Sequence, residues 1–512
     1  MADAVIGIDI GTQSTKALLV LADGTILAQA SRSYAPDTPH PNWAEQHPDV
    51  WLAAVEATVA DVARAAGTHA VRGLCVSSLY GGSGIPVDRN MQPLHPCLIW
   101  MDRRAEAQVA WVKQNIDLAR LGSVTGNGVD SYYGFTKMMW LRDERPDVWA
   151  ETVLLLPPNA YVIQRLTGAV AVDHSSAGNI GGVYDVAARR WSHEILDLLG
   201  IPAALMPDRL VEPSEVVGGL DAAAAARLGL PEGTPVMAGG VDAAVATYAA
   251  GVVAPGHHVA MIGTSMCWGY VAPRADAAHG LISMPYVVNT PHDLYVFGGA
   301  GTAGASVSWF RDQFCQAEVE AGRAQGRDPH AILEDAAAGL PAGAEGLVFL
   351  PYLMGERSPV WDGQASGAFV GLNLFHTRAH LYRAVLEGVT LALRHNMEAG
   401  AKGAATLEQR LIVVGGAAKS DLWMGIVADV TGLPVWTIKE EVEAALGAAR
   451  LAALGAGLIG PDDENTWITL VERATPTPSR QTRYDALFAV YAALYPALKT
   501  QMHALAALRG DA

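Results

Sequence analysis

The chain opens with an apolar run from Ala4 to Ile10, broken only by Gly7 and Asp9, and a second apolar run closes at Leu21 after a Gly-Thr-Gln-Ser-Thr-Lys stretch. Short apolar runs bounded by turn residues predict buried strands. Asp23-Gly24 marks a tight turn before a third strand, Thr25 to Tyr34. Pro and Asn residues then interrupt the pattern. From about Pro48 the spacing of Trp51, Val55, Val59 and Val62 predicts a helix. A strand from Val71 to Leu79 follows and ends in a glycine turn, Gly81-Gly82. Residues 105–215 are mixed, with helical stretches around Ala105–Asn115 and Tyr161–Leu166. Pro235 to Gly240 reads as a strand delivering Val241-Asp242 into an Ala-rich helix that ends near Gly251.

The Pro255-Gly256 pair after that helix predicts a domain boundary, which divides the chain into 1–254 and 255–512. His257 to Val271 again reads strand, Gly-Thr-x turn, strand, a weak internal repeat of Val5 to Val20 that suggests two related halves. The second half has its own alternation of elements: Glu345 to Leu353, a helix from about Thr377 to Glu398, a strand Arg410 to Gly416, another helix, and an Ala-rich helix from about Ala444 to Ala456. One closing helix and a frayed end are expected after Thr475. The class is α/β.

At 512 residues, two or three domains are expected. A net charge of −17 argues against nucleic acid or an anionic membrane as the principal partner. It leaves phosphate open as a ligand, because backbone N–H groups and a bound metal hold phosphate without a basic surface. Cys75, Cys97, Cys267 and Cys315 show no CxxC spacing, and no apolar run reaches bilayer length. Together these predict a cytoplasmic protein.

Five segments carry chemistry. Asp9 precedes Gly11, Thr12, Gln13, Ser14, Thr15 and Lys16. Such a hairpin turn holds phosphate through N–H groups and hydroxyls, and Asp9 suits a water-coordinated Mg²⁺; an ordinary polar hairpin is the alternative. The P-loop spacing is absent. Gly263-Thr264-Ser265 is a common turn alone, but two facing turns can clamp a polyphosphate. Asp242, after Gly239-Gly240, is either a helix N-cap or a general base for an attacking hydroxyl. Trp100-Met-Asp102-Arg103-Arg104 is either a charged helix start or a sugar-binding wall. Gly415-Gly416-Ala417 is a glycine turn on which a nucleotide can lie.

Taken together these segments resemble the FGGY family of carbohydrate kinases. The most specific match runs from Gly367-Ala-Phe369-Val-Gly371-Leu372, across seven residues, to His380-Leu381-Tyr-Arg-Ala384-Val385-Leu386-Glu387. Tyr132 and Lys137-Met-Met-Trp140-Leu141-Arg-Asp143-Glu144 match the N-terminal signature, with Gly134 where Pro, Ser or Thr is the rule. Residues 349–362 (FLPYLMGERSPVWD) are also similar to family members.

The resemblance implies two ribonuclease-H-like domains of the actin and hexokinase type, with ATP, Mg²⁺ and a small sugar or polyol in the cleft between them. Asp9 to Lys16 would face phosphates and metal with Gly263, Thr264 and Ser265 opposite. Gly415, Gly416 and Ala417 would line the adenosine pocket. Asp242 would be the base and sit beside the metal. Leu79, Tyr80, Trp100, Asp102, Arg103 and Trp268 are the candidate sugar contacts. Members acting on xylulose carry Gln-Met-His-Gly at Ser78-Leu79-Tyr80-Gly81 and Asn at Ala243, departures that speak against xylulose itself, while Trp100-Met-Asp102 followed by arginine is more similar to ribulokinase and glycerol kinase sequences; the expected acceptor is a ketopentose or related polyol. A homodimer is common among such kinases. An actin- or Hsp70-like ATPase and a silent sugar-binding regulator are the alternatives.

Overall fold

A computed structural model of the protein describes residues 2–275, 277–403, 406–440, 443–461, 463 and 466–510. Its first sheet contains β1 (Asp3–Ile10), β2 (Ser14–Leu21), β3 (Ile26–Ser33), β4 (Ala70–Ser78), β5 (Val216–Gly219) and β6 (Pro235–Met237), in the order β5-β6-β4-β1-β2-β3. The second contains β7 (His258–Ile262), β8 (Met266–Ala272), β9 (Ile282–Pro285), β10 (Leu294–Ala300), β11 (Leu411–Val414), β12 (Val435–Ile438) and β13 (Leu470–Ala474), in the order β9-β10-β8-β7-β11-β12-β13.

The repeat seen in the sequence is a repeat of topology. In the first sheet β3, β2 and β1 form an antiparallel meander, and β4 and then β6 add parallel to β1. In the second, β10, β8 and β7 are antiparallel, and β11 and β12 add parallel. The apolar strand runs are buried because helices cover the sheet faces. The helix α1 (Pro48–Arg64) turns Trp51, Val55, Val59 and Val62 onto β2 and β3, as the helical spacing predicts.

Three features depart from the sequence expectations. The mixed region between β4 and β5 holds, beyond the two expected helices Glu106–Asn115 and Pro158–Thr167, further short ones such as Gly134–Glu144 and His174–Asn179. The strand Val348–Leu350 pairs with Ala368–Val370 and stays outside the main sheet. The tail contributes an edge strand, β13, before its helix Pro478–Gly510; residues 511 and 512, where fraying was expected, lie outside the described residues.

Two helices meet between the sheets: α2 (Asp242–Ala249) and α3 (Ala444–Gly455). Although α3 belongs to the second half of the chain, it packs on β1 and β4 of the first. Small residues allow the approach. A Cβ on Gly7 of β1 would lie 2.0 Å from the Ala445 carbonyl oxygen and 2.3 Å from the Ala449 nitrogen, so only glycine fits. No helix among the described residues is long and apolar enough to cross a membrane.

Candidate active site in the interdomain cleft

Both hairpin turns are tight, closed by backbone bonds from Gly11 N–H to Ser14 O (2.9 Å) and from Gly263 N–H to Ser265 O (3.0 Å). In the first, Thr12 Oγ1 accepts the Trp100 indole N–H at 3.0 Å, and the Gln46 amide holds the Thr12 carbonyl at 2.9 Å. Thr15 is fully buried with its hydroxyl against Tyr34 Oη, so it serves the hairpin and not the cleft, a correction to its assignment as a phosphate contact. Lys16 reaches across the cleft to Glu443, 2.5 Å away. In the second hairpin, the Thr264 carbonyl takes N–H groups from Ala303 and Ala305.

A cavity of about 570 Å³ is lined by Lys16, Gly415, Gly416 and Glu443, and another of about 680 Å³ by Gly263, Thr264, Gly416 and Ala417. Gly416 and Lys419 border both, so the two adjoin and form a trough along the turn that follows β11. Gly415 adopts φ 94°, and a Cβ there would sit 2.7 Å from the Ile262 carbonyl, so glycine is required where β11 leaves β7.

Asp9 and Asp242 converge beside this trough at the carboxyl ends of parallel strands. Asp9 lies near the end of β1, where Asp9 Oδ1 accepts the Ser77 hydroxyl of β4 at 2.7 Å. The next residue of β4, Ser78, bridges to Val241, which brings Asp242 alongside. Both carboxyls are pushed well above the ordinary carboxylate value, Asp9 first by burial and then by repulsion from Asp242. For Asp242 burial dominates, opposed by the Ala243 N–H. The N-cap of α2 is Val241, without a side-chain cap bond, so Asp242 is the first residue inside the helix and not its cap. A cation between the two carboxylates would reverse the upward shift. Among the described residues no group of three or more His, Cys, Asp or Glu is placed to hold a metal. A pair of carboxylates fits an ion whose remaining ligands are water and phosphate.

The sugar-wall candidates divide. Trp100 faces the cleft, pinned to Thr12. Arg103 donates to Asp130 and, at 3.1 Å, to Ser131, and Asp130 in turn accepts the Tyr132 N–H, so Arg103 fixes the loop that carries Tyr132. Asp102 is fully buried and spends its oxygens on the Ala44 N–H (2.7 Å), the Arg104 N–H and Arg104 Nε. It anchors Arg104 over the Trp43 ring rather than a sugar hydroxyl. Nor do Asp102 and the buried Arg104 form the charged helix start that the sequence allowed, since the helix begins at Glu106. Leu79 and Tyr80 are buried too, Leu79 N–H bonding the Ile10 carbonyl. Trp268 is fully enclosed, stacked on Tyr270 and donating to His258, and does not reach the cleft. Strand alternation explains the miss. In β8, Trp268 and Tyr270 share the face covered by the helix Arg378–Gly403, while the half-exposed Cys267 takes the other.

Three residues shape the cleft without having been singled out for it. Tyr132 lines the wall beside Trp100, and Lys137, fully buried, holds that wall by donating to the Gly81 (2.5 Å) and Tyr132 (2.7 Å) carbonyls; burial pushes its ammonium down to about 7. Both belong to the N-terminal signature, which was the available signal. Arg357, from the segment at residues 349–362, comes from the second half and places its guanidinium carbon 5.7 Å from the ring centres of both Trp100 and Tyr132.

The chain matches the FGGY family of carbohydrate kinases in its N-terminal domain over residues 4–249 and in its C-terminal domain over residues 258–456. It is 30% identical to the xylulose kinase of Bacillus subtilis over 511 residues, 99% of each chain. It is 28% identical to the gluconokinase of the same organism over 98% of this chain and 97% of that one. Among solved structures it resembles the xylulose kinase of Rhodospirillum rubrum, with 34% identity, TM-score 0.89, and 98% and 100% of the two chains covered. The gluconate kinase of Lactobacillus acidophilus aligns equally well, with TM-score 0.89, 25% identity, and 97% and 98% coverage. The two domains are ribonuclease-H-like, as the repeated strand order requires. This chain therefore belongs to the FGGY family of carbohydrate kinases.

Proposed function

We propose that the protein transfers the γ-phosphoryl group of ATP to a hydroxyl of a small sugar, with a ketopentose as the acceptor and Asp242 as the general base. The observation that carries this reading is the convergence of Asp9 and Asp242 beside a trough lined by both halves of the chain. In this reading the phosphates lie between Gly11–Ser14 and Gly263–Ser265, and the adenosine lies along Gly415, Gly416 and Ala417. Asp242 accepts the hydroxyl proton as the new P–O bond forms, and its place in the first turn of α2 favours the carboxylate that must do so. Asp9 and Asp242 would hold Mg²⁺, which supplies charge neutralisation for the phosphates when bound. Trp100 and Tyr132 form the face on which the sugar ring or chain lies. The two functional units meet at Ala254/Pro255. All four cysteines are unpaired thiols, which supports a reducing cytoplasm as the place of work.

A coupled ADP-release assay across ketopentoses, pentitols, gluconate and glycerol tests the reading. ADP release is expected to depend on a ketopentose and to fall in Asp242→Asn by about 10²–10⁴-fold, roughly 3–5 kcal/mol of transition-state stabilisation. Turnover at full rate without any acceptor favours the ATPase alternative, and kcat above about a tenth of wild type in Asp242→Asn places the base elsewhere.

A further inference from the structure

We propose that Arg357 is a substrate-binding residue delivered across the cleft by the second domain, so that the acceptor is gripped by both domains at once; this rests on the sugar-kinase reading above. The backbone around it is fixed within its own domain. Glu356, buried, accepts the Gly301 N–H (3.1 Å) and the Arg357 N–H (2.7 Å), and Ser358 Oγ accepts the Gly299 N–H (2.7 Å). Farther along the loop, Asp362 Oδ2 takes the Tyr495 hydroxyl (2.7 Å) and His503 Nε2 (2.6 Å) from the C-terminal helix, and the Trp361 indole donates to the Gly280 carbonyl (2.6 Å).

The side chain contrasts with this anchoring. Among the described residues Arg357 makes no side-chain hydrogen bond and no ion pair, and its buried Nε has no partner. A guanidinium is planar, permanently charged and carries five donors, and leaving these unused in a half-buried place costs stability. What the guanidinium does face is the aromatic wall of the first domain, Trp100 and Tyr132, within cation–π range of both. It also acts electrostatically on Glu356, Tyr133, Tyr132 and Cys267, and Asp242 reaches the last two as well. Donors directed at this wall suit the oxygens of an acceptor lying against it.

The experiment compares wild type, Arg357→Gln and Arg357→Lys with D-xylulose, D-gluconate and the best acceptor from the ADP-release screen. Both variants are expected to raise KM for the acceptor by about tenfold or more while KM for ATP stays within about twofold. The melting temperature is expected to hold within a few degrees, since no hydrogen bond or ion pair of the folded protein is lost and only an exchangeable cation–π contact goes. Lysine is not expected to rescue, because a compact ammonium cannot reproduce the stacked fork. An unchanged acceptor KM, an equal rise in the ATP KM, a substantial drop in melting temperature or full rescue by lysine each overturns the proposal while leaving the kinase reading intact. A wild-type enzyme that turns over no acceptor overturns the kinase reading itself and this proposal with it.

Discussion

Replacing Gly7 by alanine tests how the two halves are joined. The new methyl would lie 2.0 Å from the Ala445 oxygen, 2.3 Å from the Ala449 nitrogen and 2.8 Å from the Ala449 Cα. All three are backbone atoms of α3, so no side chain can swing aside. Ordinary contact begins near 3.4 Å, so the helix has to retreat by more than about 1 Å along a face packed on β1, β4 and α2. Overpacking of this kind costs about 3 kcal/mol, the upper end for a single added methyl, because both sides are rigid. For a domain of this size the melting temperature is expected to fall by about 6 °C in differential scanning calorimetry. Glu443 directly precedes α3, so a displaced helix also disturbs its pair with Lys16 and raises KM for ATP. Gly425→Ala is the control, since its Cβ meets nothing within 4 Å and lies within the helix Asp421–Thr431. That change is expected to stabilise by roughly 0.5–1 kcal/mol. A Gly7→Ala protein that melts within about a degree of wild type refutes the claim that α3 is seated on β1 by backbone contact.

Two further outcomes concern the carboxylates. Asp242 works as a base only when ionised, and burial raises its pKa, so the acid limb of the kcat/KM profile is expected well above the ordinary carboxylate value of 3.8. A limb near pH 4 in the free enzyme, read from initial rates between pH 4 and 8, would count against the burial argument. Removing Asp9 as Asp9→Ala is expected to abolish Mg²⁺-dependent turnover with the fold intact by circular dichroism; a near-normal Mg²⁺ titration would take Asp9 out of the metal site.

The parts of the site that were readable in the sequence are those whose signal is local. The two hairpins announce themselves as apolar runs flanking Gly-Thr turns. Asp242 was marked by the glycines before it and the Ala-rich helix after it. Long-range placement was not readable. The Ala and Gly content of α3 gives it no distinctive apolar face, so nothing in its pattern says that it crosses to the first sheet. Trp268 failed because choosing between the two faces of β8 needs the register against β7 and β10, which neighbouring residues do not supply. Asp102 looked like a sugar ligand because its partner at Ala44 lies 58 positions away. Arg357 sits in an irregular loop without periodicity, and only the fold brings it to Trp100.

The Asp362 clamp gives the helix Pro478–Gly510 a stake in the chemistry. Its two donors, Tyr495 and His503, both lie in that helix. Replacing Tyr495 and His503 removes no group from either phosphate hairpin or from Asp242, but cuts the tether of the loop that aims Arg357. Loss of these two donors would thus read out as poor grip on the acceptor rather than as failed nucleotide capture.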